Sequence, residues 1–64
     1  MKTVFRAVVD HETPGGFKYR YESHDCATQG EAQTKADLMG GVTEVHQLDF
    51  NERTGRVLSR VKVA

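Results

Sequence analysis

The stretch that decides the fold is HDCATQGEAQTKADLMGG, residues 24–41, because it carries the one clear helical pattern of the chain. Thr28 is followed three residues later by Glu31, and this spacing is typical of a capping box, in which each side chain bonds a backbone N–H at the start of a helix. The helix is expected to end at Gly40 and Gly41, since glycine accepts the left-handed conformation of a C-terminal cap.

Before this helix the pattern has a period of two residues, which predicts strands. TVFRAVVD (residues 3–10) and FKYRYES (residues 17–23) both alternate apolar or aromatic with polar side chains. HETPGG (residues 11–16) separates them, and its proline and paired glycines favour a chain reversal. The two strands therefore form a hairpin.

After the helix the period of two returns. Residues 42–50 and residues 56–64 are predicted strands, and NERTG (residues 51–55) is the turn between them. A right-handed crossover through the helix places the third strand beside the first. We expect a single α+β domain over residues 1–64, with the order ββαββ, an antiparallel sheet of four strands in spatial order 2-1-3-4, and the helix packed on one face.

This layout also predicts which side chains are buried under the helix. On the third strand, His46, Leu48 and Phe50 share one face and Val45 takes the other, so the first three are placed toward the helix. The helix contributes small or apolar residues to the same core. The expected core consists of Phe5, Phe17, Tyr19, Tyr21, Leu48, Phe50, Val57, Val61 and Val63 beneath Ala32, Ala36, Leu38 and Met39.

The composition limits the classes of function. The chain has nine Lys or Arg and nine Asp or Glu, so its net charge is zero, which disfavours a protein built mainly to neutralise nucleic-acid phosphates. Its single cysteine excludes an internal disulfide framework. No stretch approaches the roughly 20 apolar residues of a membrane span. We expect a cytoplasmic protein that does not interact with membranes.

Cys26 precedes the helix, where the helix dipole can favour a thiolate. A nucleophile also needs a positioned base and a substrate pocket, and the sequence indicates neither. His24, Asp25, Cys26 and His46 do not match the ligand spacings of structural zinc sites. Cys26 is therefore interpreted as a packed side chain, and the protein as a non-enzyme without a metal or cofactor.

The face of the sheet without the helix collects more than half of the basic residues. Val4, Val8, Val45 and Leu58 are expected to be exposed between these basic residues. They could form the apolar centre of a protein-docking surface, with arginines as anchors at its rim. An equally supported and simpler interpretation is that these charged residues only form the solvent-exposed face of a sheet that is covered on one side. The candidate binding residues are Arg6, Val8, Lys18, Arg20, Leu58, Arg60 and Lys62.

Two further modes of binding are open. Arg20 and Arg60 could contact nucleic acid, although all aromatic rings are expected to face the core and none would be free for stacking. Residues 57–63 form an apolar edge strand without proline, which could pair with another chain or with a second copy in a homodimer. The sequence favours a small protein-binding module, accessory or inhibitory to a larger protein, as in bacteria and phages. Nucleic-acid binding through the basic face is the alternative.

Overall fold

The computed structural model describes all residues from 1 to 64 and contains one sheet and one helix. All neighbouring strands are antiparallel and their spatial order is β2-β1-β3-β4. The predicted ββαββ arrangement and the α+β class are confirmed. The elements are β1 (Lys2–Glu12), β2 (Lys18–Glu22), α1 (Gln29–Met39), β3 (Val42–Phe50) and β4 (Val57–Lys62).

The helix begins at a capping box. Thr28 Oγ1 accepts the Glu31 N–H at 3.2 Å, and the Glu31 carboxylate accepts the backbone N–H of Ala27 at 3.3 Å. In a capping box this carboxylate usually accepts the N–H of the capping residue itself, here Thr28, so the bond in this protein goes one residue further back. Gly40 and Gly41 follow the helix with positive φ of 70° and 79°, which favours glycine; with ψ of 177°, Gly40 is extended and does not adopt the left-handed helical conformation that was predicted.

The helix packs through small side chains. Ala32 and Ala36 are its buried residues, and they contact Ala7, Cys26 and Val45 on the sheet side. The partly buried side chains of Phe5, Met39 and Val63 surround this cluster. Because the contact surface is made mostly of alanine and valine, helix and sheet lie close together.

The predicted faces of β3 are wrong. Val45 pairs with Ala7 and packs toward the helix, whereas Leu48 pairs with Val4 and lies three residues further along the strand, an odd separation that puts it on the other face. Side chains on directly paired residues share a face, so His46, Leu48 and Phe50, all predicted to face the helix, lie on the opposite side. The short Val45 side chain, and not the larger Leu48, therefore meets the small helix face.

Much of the predicted core is exposed. Phe17 is 76% exposed and Leu38 is 82% exposed. The helix contacts only β1 and β3. A helix is about 10 Å wide and strands lie about 4.8 Å apart, so one helix covers about two strands of this sheet. The side chains predicted as buried but found exposed are Phe17, Tyr19, Tyr21, Leu38, Val57 and Val61.

A second buried layer lies on the face of the sheet without the helix. Val4, Val8 and Leu48 belong to this face and are 4%, 1% and 0% exposed, respectively. Both faces of the central strand β1 are thus buried. The side chains that cover the second face decide what it can bind.

Candidate binding surface

Arg6 lies on β1 at the centre of the face without the helix. Its Nε donates to Asp25 Oδ1 at 2.6 Å, and its Nη1 lies 3.9 Å from Glu22 Oε1. The guanidinium also lies 5.5 Å from the centre of the Phe50 ring, at cation–π distance. Arg6 is therefore held by two carboxylates and one aromatic ring of its own chain.

Arg60 enters the same face from β4. Its Nε–H donates to Nδ1 of His46 at 2.8 Å, and its Nη2 donates to Glu22. His46 Nε2 lies 3.1 Å from the Glu44 carboxylate. A ring nitrogen that accepts carries no proton, so the hydrogen of the neutral imidazole is on Nε2 and donates to Glu44.

These contacts join Arg6, Glu22, Asp25, Glu44, His46 and Arg60 into one set, called here the polar network. The hydrogen bond from His46 lowers the pKa of the Glu44 carboxyl; burial opposes this effect, and the charge of Lys62 supports it. Every buried side-chain polar atom of the protein has a hydrogen-bond partner. The network is thus a fully paired polar layer and not a set of free charges.

The polar network covers the second buried layer. Val8 pairs with Glu22 on one side and Glu44 on the other, and Leu48 pairs with Arg60. Cross-strand neighbours lie within contact distance on the same face, so these long side chains exclude water from the two apolar ones. Val8, predicted to be an apolar anchor for a partner, is inaccessible.

Arg20 is also paired within the chain. Its Nε and Nη2 donate to the two carboxylate oxygens of Asp10 at 2.9 and 3.3 Å. This bidentate bond is the main cause of the lowered pKa of Asp10 and of the raised pKa of Arg20. Of the predicted basic binding residues, only Lys18 and Lys62 form no ion pair.

The β4 strand forms one edge of the sheet and pairs only with β3. All six of its residues are exposed, and it has neither a proline nor a carboxylate. Leu58 is an accessible apolar side chain, whereas Val4 and Val8, which were expected to be exposed beside it on the face without the helix, are buried. Strand length, exposure and composition therefore make β4 the most accessible backbone edge of the protein.

Although the net charge is zero, the charged residues are distributed unevenly along the chain. Residues 53–64 contain four basic residues and no Asp or Glu, a charge of +4. Residues 1–52 contain five basic and nine acidic residues, a charge of 5 − 9 = −4. The edge strand and the turn before it are thus the basic part of the protein. The four basic residues are Arg53, Arg56, Arg60 and Lys62.

The opposite edge carries aromatic rings that were predicted to be buried. Tyr19 and Tyr21 on β2, and Phe17 directly before it, are more than half exposed and lie beyond the reach of the helix. The His11 ring stacks on Tyr19 with 5.2 Å between the ring centres. The expectation that no ring is free for stacking is wrong for this edge. The shortness of the buried helix stripe, two alanines, is the sequence signal that could have indicated it.

Cys26 is 3% exposed and lies in the core beneath the helix. Its backbone pairs with Phe5 in both directions at 2.8 and 2.9 Å, and its thiol points to the carbonyl oxygen of His24 at 3.6 Å. Nowhere do three or more His, Cys, Asp or Glu side chains gather as metal ligands would. Cys26 is placed as a packing residue.

The only helix, α1, is too short to cross a membrane. Comparisons with protein-family models, with curated proteins and with solved structures give no significant match to this chain.

Proposed function

We propose that this protein is a small, non-catalytic binding module that attaches to a larger protein through its edge strand β4. The supporting observation is that all six β4 residues are exposed and pair only on one side. An exposed edge offers unpaired backbone donors and acceptors, which a strand of another protein can use. Such a module acts in the cytoplasm as an accessory or inhibitory protein, as in bacteria and phages.

The edge is favoured over the face of the sheet because the arginines of the face are occupied. Arg6 and Arg60 would have to leave Asp25 and Glu22 before they could bind a partner. Breaking these pairs leaves charges without partners on a partly buried surface, which is costly. Lys62 and Leu58 are exposed at the edge, so a partner can reach them without disturbing the polar network.

Site-specific photocrosslinking tests this proposal. A photoreactive side chain at Leu58 is compared with the same side chain at Leu38, a leucine on the helix that is even more exposed, 82% against 53%. Each variant is irradiated in a nuclease-treated lysate of the source organism. The expected result is one discrete protein adduct from position 58 and none from position 38. Adducts that are absent from position 58, or identical at both positions, would contradict binding through β4.

Nucleic-acid binding is the second candidate, and the exposed rings of Tyr19 and Tyr21 favour it. Lys18 lies on the same strand and forms no ion pair, so a stacking platform and a phosphate contact are close together in the chain. Binding of a labelled single-stranded oligonucleotide would then weaken steeply with salt and with Tyr19→Ala. The zero net charge argues against this candidate.

A further inference from the structure

We infer that the partner segment received by β4 is an extended, acidic polypeptide strand, which would become the fifth strand of the sheet. This inference rests on the proposed function and adds the chemistry of the partner. It depends on three features of β4: its backbone groups, the alternation of its side chains, and its charge.

The backbone of β4 presents alternate residues to the outside. The N–H of Val63 donates to the carbonyl of Val45 at 2.9 Å, which directs Val63 toward β3. Backbone groups of successive strand residues point to opposite sides. The N–H and C=O groups of Arg60 and Lys62 are therefore directed away from β3, where an incoming strand can bond them.

The side chains of β4 alternate in chemistry between the two faces of the sheet. Arg60 and Lys62 pair with Leu48 and His46 on the face without the helix. Val61 pairs with Gln47 on the helix side and is 53% exposed. Side chains of an added strand lie beside those of β4 on the same face. A segment that alternates carboxylates with apolar residues matches both faces.

The charge of the edge selects against other occupants. A second copy pairing through β4 would bring Arg60 and Lys62 near their own equivalents, and like charges across a strand pair are destabilising. No aromatic residue lies on β4, so this strand offers no ring on which nucleic-acid bases could stack. Arg53, Arg56 and Lys62 form no ion pair and can attract an acidic segment.

A titration of the isotope-labelled protein with synthetic peptides, followed by amide chemical shifts, tests the inference. The probe is the capped peptide Ser-Glu-Val-Glu-Val-Glu-Ser. One control replaces each Glu by Lys, and another replaces each Val by Pro, which keeps the charge but prevents strand pairing. We expect the probe alone to cause saturable shifts, and we expect these at β4 and in the neighbouring residues of β3.

Charge-reversal variants make the test specific for the edge. Arg56→Glu/Lys62→Glu should weaken probe binding by about tenfold or more. Lys2→Glu/Lys35→Glu makes the same change in net charge outside the basic segment and should change binding less than about twofold. None of the four substituted side chains takes part in an ion pair, and an amide spectrum that changes only around the substituted positions verifies the fold of both variants.

Several outcomes would overturn the inference: no saturable shifts with the Glu peptide, equal shifts with the Lys or Pro peptide, or shifts confined to β2. Saturable binding of a single-stranded oligonucleotide at β4, without binding of the Glu peptide, would also overturn it. If the peptide fails while the crosslink from position 58 persists, only the acidic chemistry is wrong. If both fail, the proposed function fails as well.

Discussion

Arg60 on β4 donates to Nδ1 of His46 on β3 at 2.8 Å, and the same guanidinium bonds Glu22 on β2. Since β2 and β4 are the opposite edges of the sheet, the Arg60 and Glu22 side chains meet above the two central strands. It thereby closes the face without the helix above Val8 and Leu48. The small core of this protein consequently has an apolar layer under the helix and another under the polar network.

Arg60→Gln should destabilise the protein by about 1–3 kcal/mol, because His46 would lose its donor and Glu22 its closest cation. The matched control is Arg53→Gln, in the exposed turn, where no ion pair is lost and a change within about 0.5 kcal/mol is expected. Urea unfolding followed by circular dichroism measures both. Equal free energies of unfolding for the two variants would show that the polar network adds nothing to stability.

Acid should weaken the folded state through Asp10 and Glu44. Hydrogen bonds from Arg20 and His46, respectively, lower the pKa values of these two carboxyls. A lowered pKa means that the folded state binds fewer protons than the unfolded state. This contribution to stability is complete above the ordinary carboxyl range and is lost as the pH falls through about 4 and below.

Melting temperatures measured from neutral pH to about pH 3 check this pH dependence. In Asp10→Asn/Glu44→Gln the melting temperature should fall less steeply as the pH is lowered. Glu12→Gln/Glu52→Gln also removes two carboxylates, but from positions without side-chain hydrogen bonds, and should keep the slope. If Asp10→Asn/Glu44→Gln lost as much melting temperature in acid as the unmodified protein, Asp10 and Glu44 would not be the cause of the acid sensitivity.

Two identical substitutions distinguish the second buried layer from the exposed helix surface. Leu48→Ala should cost about 2–5 kcal/mol, since Leu48 is completely buried and its removal leaves a cavity. Leu38→Ala, at an 82% exposed helix position, should change stability by less than about 0.5 kcal/mol. Urea denaturation gives both values. A small loss for Leu48→Ala would mean that the polar network does not seal this face.

The order of elements was predictable because its signals are local. The Thr28 to Glu31 capping box, the paired glycines and the alternating strands each depend on neighbouring residues. The crossover rule then fixed the strand order without long-range information. These features are the part of the fold that a single sequence specifies directly.

The burial of the strands was less predictable because it depends on the width of the helix. Alternation along β2 correctly grouped Tyr19 and Tyr21, but the helix extends over β1 and β3 only. On β3 the larger Leu48 suggested the wrong face, since the helix surface accepts only the smaller Val45. Alternation assigns residues to a face, and the neighbouring layer decides whether that face is covered.

The polar network could not be predicted from the sequence. Glu22 and Arg60 are 38 positions apart and meet only because the sheet order and register place them over the same two strands. The sequence correctly placed Arg6, Arg20 and Arg60 on one face, but it could not indicate that each is already paired. The edge strand, in contrast, was visible as an apolar segment without proline.

The thiol of Cys26 should be unreactive in the native protein, because Cys26 is 3% exposed and packed beneath Ala32 and Ala36. Labelling with a thiol reagent should be slow in buffer and accelerate with added urea, since it requires opening of the core.

A cysteine placed on the edge strand provides the control for this labelling. In Cys26→Ala/Ser59→Cys the only thiol lies on exposed β4 and should react at the rate of a free thiol. The difference between the two rates measures the protection that the core gives to Cys26. Rapid labelling of Cys26 in the absence of urea would reveal an accessible thiol beneath the N-terminal end of the helix, and its interpretation as a packing residue would then be wrong.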